Sequence, residues 1–382
     1  DVLLSQSGSG ATQIWQGTQQ TSEKLLGTFW FSTGNGVGVG YNGKIVRWSN
    51  GGNTWFYPTS PTSYRLEAVT FVNETTGFAV GDRGVILKTD DGGFNWRLIT
   101  SVPTDKLLKD VNFVGTNFGF AVSEDGQVLV STDAGEHWTL KQYTMNSLNS
   151  VYFKTSLVGY TVGKNGSVLR SSNGGATWEA IQVPGLHDDL NKVIFVNSSI
   201  GFAVGNNGTM IKTMDGGDTW EIMNAGTPFN LESITFYGVN IGYIAGQNGV
   251  IMKTTDGGAT WTALNSGTTY NIFDINTVDA NYVYAVGDVG MLLKSSDAGA
   301  TWTNMKPADE SYVDVKRYHQ EINFPENGVG LGAGIYILDK LNDTFVPRKD
   351  SVMFNRVRFE GNESYTGSAI YSDNYDLKLI FT

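Results

Sequence analysis

The chain of 382 residues contains no cysteine and only eight prolines. Without cysteine it has neither a disulfide framework nor a thiolate metal site, and the few prolines argue against a proline-rich disordered chain. Lysine and arginine number 26 against 37 aspartates and glutamates, with no basic block, so we expect no nucleic-acid or anionic-membrane partner. No apolar run approaches the ~18 residues of a membrane-spanning helix, so we expect no transmembrane segment.

Glycine and aromatic residues are plentiful by contrast. The chain has 48 glycines, and 40% of its residues are apolar, including 20 phenylalanines, 17 tyrosines and 10 tryptophans. This composition can bury a large core, which excludes a disordered chain. The length alone would favour two or three domains, but internal repetition favours a single domain over residues 1–382.

Two aromatic series recur with a period of about 41 residues, which is the signature of a repeat architecture. The tryptophans of the first series are Trp15, Trp55, Trp96, Trp138, Trp178, Trp220, Trp261 and Trp302. The second series comprises Phe31, Phe71, Phe113, Phe153, Phe195, Phe236, Thr277, Phe324 and Phe359, in which a threonine replaces one phenylalanine. In five units the phenylalanine precedes the tryptophan by 25 residues, so both rings belong to one repeated unit.

One unit, residues 231–265, is predicted to form four short strands. Its first segment, LESITF, alternates apolar and polar residues, and GYIAG, VIMKT and WTALN follow. The pair Asn248-Gly249 separates the second and third strands and supplies the positive φ that a tight hairpin requires. Four such strands at a regular period are typical of a propeller blade. We therefore predict an all-β propeller of four-stranded antiparallel blades.

The phenylalanine series predicts nine blades, of which seven carry the full motif. The eighth unit, around Phe324, and the ninth, around Phe359, are degenerate, so seven or eight blades with an accessory C-terminal segment are the alternative. The chain ends before the ninth unit reaches its tryptophan, and Trp15 lies one period before Trp55. We predict that residues 13–20 form the outer strand of the last blade, which would remove the exposed sheet edges.

A box of the form Ser/Thr-x-Asp-x-Gly-x-x-Trp connects the third and fourth strands. Its acceptor positions are Asp91, Asp133, Asn173, Asp215, Asp256 and Asp297. A short side-chain oxygen accepts backbone N–H bonds and holds a turn. Seven units carry the box, and two of them have asparagine at the acceptor position, Asn50 and Asn173. Such repetition fits a structural hydrogen-bond acceptor and not a catalytic acid, so we interpret the boxes as structural. The motif resembles the Asp-box, or BNR repeat, of sialidase-like propellers.

A basic side chain also repeats, in the third strand. It is Arg47, Lys88, Arg170, Lys212, Lys253 or Lys294, depending on the unit. We interpret both arginines as structural, because they share a position with lysines. This argues against the substrate-binding arginine cluster of a sialidase.

The wider pattern, Gly-Phe-Ala-Val-Gly-x-x-Gly followed by a lysine and the box, stands as Gly201–Trp220 and, with substitutions, as Gly242–Trp261. It resembles the photosystem II stability/assembly factor family, strongly over residues 25–305 and weakly elsewhere. The resemblance implies a non-enzymatic assembly factor with no cofactor. That family is seven-bladed, whereas this chain is longer.

Function should reside in the D–A crossovers, the connections from the fourth strand of one blade to the first strand of the next, because they vary most. We select ten ligand-binding candidates: Tyr64, Arg65, Asp105, His187, Asp188, Asp189, Phe229, Tyr270, Tyr312 and Arg317. Aromatic platforms beside hydrogen-bonding groups suit a sugar or a peptide segment. The simpler interpretation is that the aromatics cap the core and the charges are solvated. No second histidine accompanies His187 at ligand spacing, so we assign no metal site and no catalytic residue.

Three functions remain open. The first is a non-enzymatic binding or assembly propeller that engages a protein or glycan ligand at the channel mouth. The second is a glycoside hydrolase or lyase, in which Asp188 or Asp189 would pair with Asp309 or Glu310 at the ~5–9.5 Å that such carboxylates require. The third is a carbohydrate-binding surface protein. Since the sequence begins at Asp1 without methionine, we expect a processed, extracytoplasmic protein, and we expect a monomer.

Overall fold

The computed structural model describes residues 24–52 and 54–305, and the backbone of two strands at 338–341 and 344–347. Residues 24–305 contain seven four-stranded antiparallel sheets, in which each strand pairs with the next along the chain. These sheets are the blades of the all-β propeller that the sequence predicts. Within the described ranges, no helix is long and apolar enough to span a membrane.

Each blade is one contiguous segment with strands A to D in chain order. Blade 1 contains β1 (Leu25–Ser32), β2 (Asn35–Gly40), β3 (Ile45–Ser49) and β4 (Thr54–Phe56); blade 2 contains β5 (Leu66–Phe71), β6 (Gly77–Gly81), β7 (Ile86–Thr89) and β8 (Arg97–Leu98); blade 3 contains β9 (Leu108–Val114), β10 (Phe118–Ser123), β11 (Gln127–Ser131) and β12 (Thr139–Gln142); blade 4 contains β13 (Leu148–Phe153), β14 (Gly159–Gly163), β15 (Val168–Ser171) and β16 (Glu179–Ala180). Blade 5 contains β17 (Leu190–Phe195), β18 (Gly201–Gly205), β19 (Thr209–Thr213) and β20 (Glu221–Asn224); blade 6 contains β21 (Leu231–Tyr237), β22 (Ile241–Gly246), β23 (Ile251–Thr254) and β24 (Thr262–Leu264); blade 7 contains β25 (Ile272–Thr277), β26 (Val283–Gly287), β27 (Leu292–Ser295) and β28 (Thr303–Asn304).

Two further strands, β29 (Leu338–Leu341) and β30 (Thr344–Pro347), pair antiparallel with each other. They belong to a second unit of the chain, which comprises Asp1–Gln19 and Pro307–Thr382, whereas the seven blades belong to Gln20–Lys306.

The seven blades form a closed ring around a central channel. Strand A of each blade packs against strand A of the next, and β25 of blade 7 packs against β1 of blade 1. Asp274 of blade 7 accepts hydrogen bonds from the amide (2.9 Å) and hydroxyl (2.8 Å) of Thr28 in blade 1. The Nζ atom of Lys294 in blade 7 donates to the carbonyl oxygen of Gly51 in blade 1 at 2.9 Å.

The predicted count of nine blades is therefore wrong, and the alternative of seven is confirmed. Blade 1 covers the face of blade 7 that an eighth blade would have to cover, so the ring has no gap for further units. The degenerate units around Phe324 and Phe359 lie outside the described residues, as does the predicted closing strand at residues 13–20.

Aromatic rings join neighbouring blades. A ring on strand B of one blade stacks on a ring of strand A in the next, as for Phe120 and Phe153 (centroids 3.4 Å apart) and for Phe202 and Phe236 (4.9 Å). The strand-A ring also meets the box tryptophan of its own blade edge-on: Phe153 and Trp178 lie 5.6 Å apart with an interplanar angle of 89°. Such pairs contribute about 0.5–1.5 kcal/mol beyond their buried area, so the seams account for the period of both aromatic series.

Trp30, not Phe31, occupies the strand-A ring position of blade 1. Trp30 pairs with Gly36 in the register in which Phe71 pairs with Gly77. Its indole stacks on Tyr284 of blade 7, with ring centroids 3.7 Å apart. The expectation for Phe31 was wrong because Phe31 lies 24 residues before Trp55, whereas Trp30 lies 25 residues before it, which is the spacing of the other units.

The B–C turns hold the crossovers in place. Their central residue has a positive φ, which is 54° at Asn165 and 56° at Asn248, and asparagine tolerates this conformation better than most residues. The glycine that follows packs under a crossover: a Cβ on Gly249 would lie 2.0 Å from the carbonyl oxygen of Thr268. Val289 adopts the same conformation with a φ of 54°, although a β-branched side chain is strained there. The turn geometry is thus common to most blades, and variation is left to the crossovers.

Polar side chains on the inner strands form a belt inside the channel. Asp110 in blade 3 accepts bonds from the hydroxyl of Ser150 (2.7 Å) and the amide of Val151 (3.1 Å) in blade 4. Lys192 of blade 5 reaches past blade 4 and donates to both Asp110 oxygens, at 3.1 and 3.2 Å. Burial lowers the pKa of Lys192, but the charges of Asp110 and Asp274 outweigh burial and raise it overall, so this ammonium stays protonated. The belt links blades that share no seam.

The boxes are closed hydrogen-bonded turns. In blade 6, Asp256 accepts from the amides of Ala259 (3.0 Å) and Thr260 (2.9 Å) and from the hydroxyls of Thr254 (2.7 Å) and Thr260 (2.6 Å). These donors hold the pKa of Asp256 well below its usual range. In blade 4, Asn173 accepts from the amide of Thr177 at 2.9 Å. Because both oxygens of Asp256 accept hydrogen bonds within its own turn, the arrangement fits the structural role that the sequence predicts for the box.

Replacing Lys192 with methionine should lower the free energy of unfolding by about 2–3 kcal/mol. The change leaves the buried Asp110 carboxylate without its counter-charge. The expected loss of stability is smaller than the ~3–5 kcal/mol for breaking a fully buried ion pair, because a third of the Lys192 side chain is exposed. Urea denaturation measures the change. Lys106→Met is the control, since Lys106 is paired with the exposed Asp105, and it should stay within about 0.5 kcal/mol of the wild type. An equal loss in both variants would contradict the belt's role.

Replacing Asp297 with asparagine should flatten the acid dependence of stability. Bonds from the side chain and then the amide of Thr301 hold the pKa of Asp297 at about 2, against about 3.9 in an unfolded chain. Its contribution is therefore complete above about pH 5 and is lost progressively as the pH falls to 2 and below. Asparagine keeps the acceptor, as Asn173 does, so the melting temperature at pH 7 should change little and should fall less on acidification. Asp297→Ala should lower the melting temperature already at pH 7. If Asp297→Asn lowers it by the same amount at pH 7, Asp297 does not act as a hydrogen-bond acceptor that holds the turn.

Candidate functional site

The antiparallel strand order separates two faces of the propeller. The B–C turns and the D–A crossovers lie on one face, here called the crossover face. The A–B connections and the boxes lie on the opposite face, here called the box face. The described ligand-binding candidates all belong to the crossover face, near the mouth of the channel.

Three exposed aromatic side chains occupy one repeat position, two residues before strand A. Tyr64, Phe229 and Tyr270 have relative exposures of 41%, 40% and 52%. The amide of each is held by a threonine hydroxyl two residues earlier, for example Tyr270 by Thr268 at 3.1 Å. This local turn presents the ring to solvent. The three rings come from blades 6, 7 and 2, so they flank blade 1 along one arc of the mouth.

Blade 1 and its neighbours complete this arc with cations above aromatic rings. The Lys24 ammonium lies 5.5 Å from the Phe273 ring centroid and 6.0 Å from that of Tyr41. The Arg65 guanidinium lies 5.5 Å from the Tyr41 ring and pairs with Glu67 at 2.9 Å. We call Lys24, Tyr41, Arg65 and Phe273, with the three exposed rings, the mouth arc.

The cation of Lys24 is held in its charged state. It pairs with Asp288 of blade 7 at 2.9 Å. The hydrogen bond to Asp288 raises the pKa of Lys24, and burial opposes it more weakly. Sequence reasoning missed Lys24, Tyr41 and Phe273. The available signal was position, because Lys24 corresponds to Arg65 in the repeat.

The His187-Asp188-Asp189 segment is divided between separate structural contacts. Asp188 accepts from the amide group of Asn207 (2.8 Å) and the hydroxyl of Thr209 (2.7 Å), and these two bonds lower its pKa. Asp189 accepts from the backbone amide of Asn165 at 2.9 Å, in the B–C turn of blade 4. His187 is exposed. Both carboxylates therefore hold B–C turns.

The remaining candidates contribute less. Asp105 is exposed and lies 3.7 Å from the ammonium of its neighbour Lys106. Tyr312 and Arg317 lie outside the described residues, and so do Asp309 and Glu310, the partners predicted for a paired-carboxylate site. Over the ranges that the structure describes, no group of three or more histidine, aspartate or glutamate side chains could hold a metal ion.

Asp189→Asn should preserve stability, whereas Asp189→Ala should lower the free energy of unfolding by about 1 kcal/mol. The reason is that asparagine serves in the same position elsewhere: Asn230 accepts from the Asn207 amide at 3.0 Å, and Asn271 accepts from the Asn248 amide at 3.1 Å. Urea denaturation of the two variants measures the difference. If both variants lose the same stability, a neutral hydrogen-bond acceptor cannot replace the Asp189 carboxylate in this turn.

A family model described as photosynthesis system II assembly factor YCF48 matches residues 96–186 and 178–269. A search of curated proteins found no significant match to the chain.

Solved structures share the propeller fold. A structure of YCF48 bound to a D1 peptide aligns with a TM-score of 0.61 at 20% identity, covering 72% of this chain and 94% of that chain. YCF48 from Cyanidioschyzon merolae aligns with a TM-score of 0.59 at 19% identity, covering 72% of this chain and 96% of that chain. The GH74 enzyme of Niastella koreensis aligns with a TM-score of 0.62 at 18% identity, but covers 74% of this chain and only 54% of the enzyme.

At these identities the structural likeness shows the fold alone, and the family model adds the repeat. Together with the seven four-stranded blades, they identify the chain as a BNR-repeat β-propeller that resembles the photosystem II assembly factor YCF48.

Proposed function

We propose that this chain is a non-enzymatic assembly propeller that binds a segment of a protein partner along the mouth arc. The resemblance to an assembly factor supports the class, and the YCF48 structure with a D1 peptide supports a protein ligand. The observation that carries the proposal is the row of exposed rings, Tyr64, Phe229 and Tyr270, at one repeat position. Exposed apolar groups that cluster on one part of a surface mark interaction sites, whereas singly scattered ones do not.

The chemistry of the arc suits a polypeptide. Tyrosine, phenylalanine and arginine are enriched in protein interfaces, where rings supply contact area at a low entropic cost. The Lys24 and Arg65 cations are already paired with Asp288 and Glu67, so the arc offers apolar and hydrogen-bonding contacts more than net charge. An extended segment lying across blades 6, 7, 1 and 2 would meet all of these groups.

A glycan ligand and the hydrolase or lyase alternative are weaker. The GH74 enzyme shares the fold at 18% identity, and that likeness carries no activity with it. Asp188 and Asp189 are engaged by turn donors, which leaves the predicted carboxylate pair without its first member. An extracytoplasmic location and a monomeric state stay predictions from the sequence.

Tyr64→Ala and Tyr270→Ala should each weaken partner binding about tenfold. Removing an interface ring that contributes ~1.4 kcal/mol to the binding free energy changes the affinity by that factor. The partner is first captured from a native extract by a photo-reactive phenylalanine analogue placed at position 270 and identified by mass spectrometry. Its affinity for the purified variants is then measured by titration calorimetry. The melting temperature of both variants should stay unchanged because the rings are exposed.

Tyr237 provides the control, because it is 45% exposed but lies at the end of strand A on the box face. Tyr237→Ala should bind the partner like the wild type, and the same cross-linker at position 237 should not capture it. Capture at both positions alike would refute the mouth arc. Release of reducing sugar ends from a glycan, with no protein captured, would favour the enzyme.

A further inference from the structure

A cation from strand C holds six of the seven seams on the box face. The Nζ atoms of Lys88, Lys212, Lys253 and Lys294 donate to a box carbonyl of the next blade at 2.7–3.0 Å. Arg47 does so through Nε, to Gly92 at 2.9 Å. At the seam between blades 4 and 5, Arg170 pairs with Asp218, and Lys154 supplies the bond to the box carbonyl of Gly216 at 2.8 Å.

The seventh seam, between blades 3 and 4, lacks this cation. Val130 occupies the strand-C position, because it pairs with Phe120 as Lys88 pairs with Phe78. The corresponding acceptor is the carbonyl oxygen of Gly174, which accepts no hydrogen bond from any side chain that the structure describes. The Tyr143 hydroxyl closes part of the seam. It donates to the two carbonyl oxygens that follow Gly174, those of Gly175 and Ala176, at 2.8 Å each.

A groove of about 250 Å³ opens at this seam, and Val130, Asp133, His137, Lys141 and Gly174 are among its lining residues. It is smaller than the ~300–1,000 Å³ of pockets for drug-sized ligands, and it suits one side chain. Val130 gives the groove an apolar wall, which favours the alkyl stem of a long basic side chain. Asp133 gives it a negative charge, because bonds from the amide and ring of His137 hold its pKa at about 2.

We infer that this groove binds the lysine side chain of a protein partner, whose ammonium takes the place beside Gly174 that the chain's own lysines fill at four other seams. The inference rests on the proposed protein-binding function only for the origin of the lysine. The Gly174 carbonyl oxygen is open to the groove, and an incoming ammonium could donate to it as the Nζ atom of Lys212 donates to Gly257 at 2.9 Å. The groove lies on the box face and is a second attachment point, separate from the mouth arc.

Two charges on the groove wall bear on this inference. His137 is exposed and already bonded to Asp133 at 2.6 Å. Lys141 is exposed, and its ammonium repels an incoming ammonium unless the Lys141 side chain turns away. The Lys141 ammonium is also a competing donor to the Gly174 carbonyl oxygen. The experiment therefore has to separate a partner's lysine from Lys141.

The test titrates the labelled protein with the peptide Ac-Gly-Gly-Lys-Gly-Gly-NH₂ and follows the amide signals of Gly174 and Gly175 by NMR. The lysine peptide should shift both signals, and the same peptide with norleucine should not. Val130→Lys should place an ammonium of the chain beside the Gly174 carbonyl oxygen. It should therefore weaken peptide binding at least tenfold and raise the melting temperature by about 2 °C. Val130→Met, which adds length without charge, should do neither, and circular dichroism checks that both variants fold.

Several results would overturn the inference. Equal shifts with the lysine and norleucine peptides, or undiminished binding by Val130→Lys, would exclude an ammonium seat. If Lys141→Met lowers the melting temperature as much as Lys212→Met, the chain's own Lys141 donates to the Gly174 carbonyl oxygen. If n-butylammonium binds as tightly as the peptide, the ligand is a free amine and not a partner's lysine. Tyr270→Ala should leave the peptide titration unchanged, so this test and that of the mouth arc can fail separately.

Discussion

The blades of this propeller are apolar on both faces, so each depends on two neighbours to keep water from its sheet. Stacked rings such as Phe120 and Phe153 fill the seams, and cations from strand C fasten most of them to the next box. A ring with a gap would expose two apolar faces. The contact of blade 7 with blade 1 therefore decides the whole architecture, and the boxes, turns and channel belt all act within it.

The repeat engages most of its charged side chains in its own structure. The box carboxylates accept bonds within their turns, as Asp256 does. Asp110 of blade 3 and Lys192 of blade 5 pair past blade 4, and Asp188 and Asp189 hold B–C turns. Function is therefore left to places where the repeat changes: exposed rings at one crossover position, and a valine where the other seams have a cation. Both features suit the binding of another polypeptide more than catalysis.

The sequence predicted the blade well and the assembly less well. Aromatic spacing, Asn-Gly pairs and boxes are local signals, and each corresponds to a local structure. The count of nine was wrong because an aromatic residue at the expected spacing indicates a strand and says nothing about which blade meets which. The candidate rings Tyr64, Phe229 and Tyr270 are exposed. Lys24 was missed although it stands at the repeat position of Arg65, and its contact with Phe273 depends on the packing of blade 1 against blade 7.

The sequence by itself determined the repeated unit, because the rings, glycines and turn acceptors of one blade act within about 41 residues of each other, the length of one repeat. Only the tertiary structure decided the number of blades and the partners of each polar group. The bonds that close the ring join Thr28 to Asp274, 246 residues apart, and the belt joins Asp110 to Lys192, 82 residues apart. No local pattern specifies such pairs, because they form only when the apolar faces of all seven blades have been buried against one another.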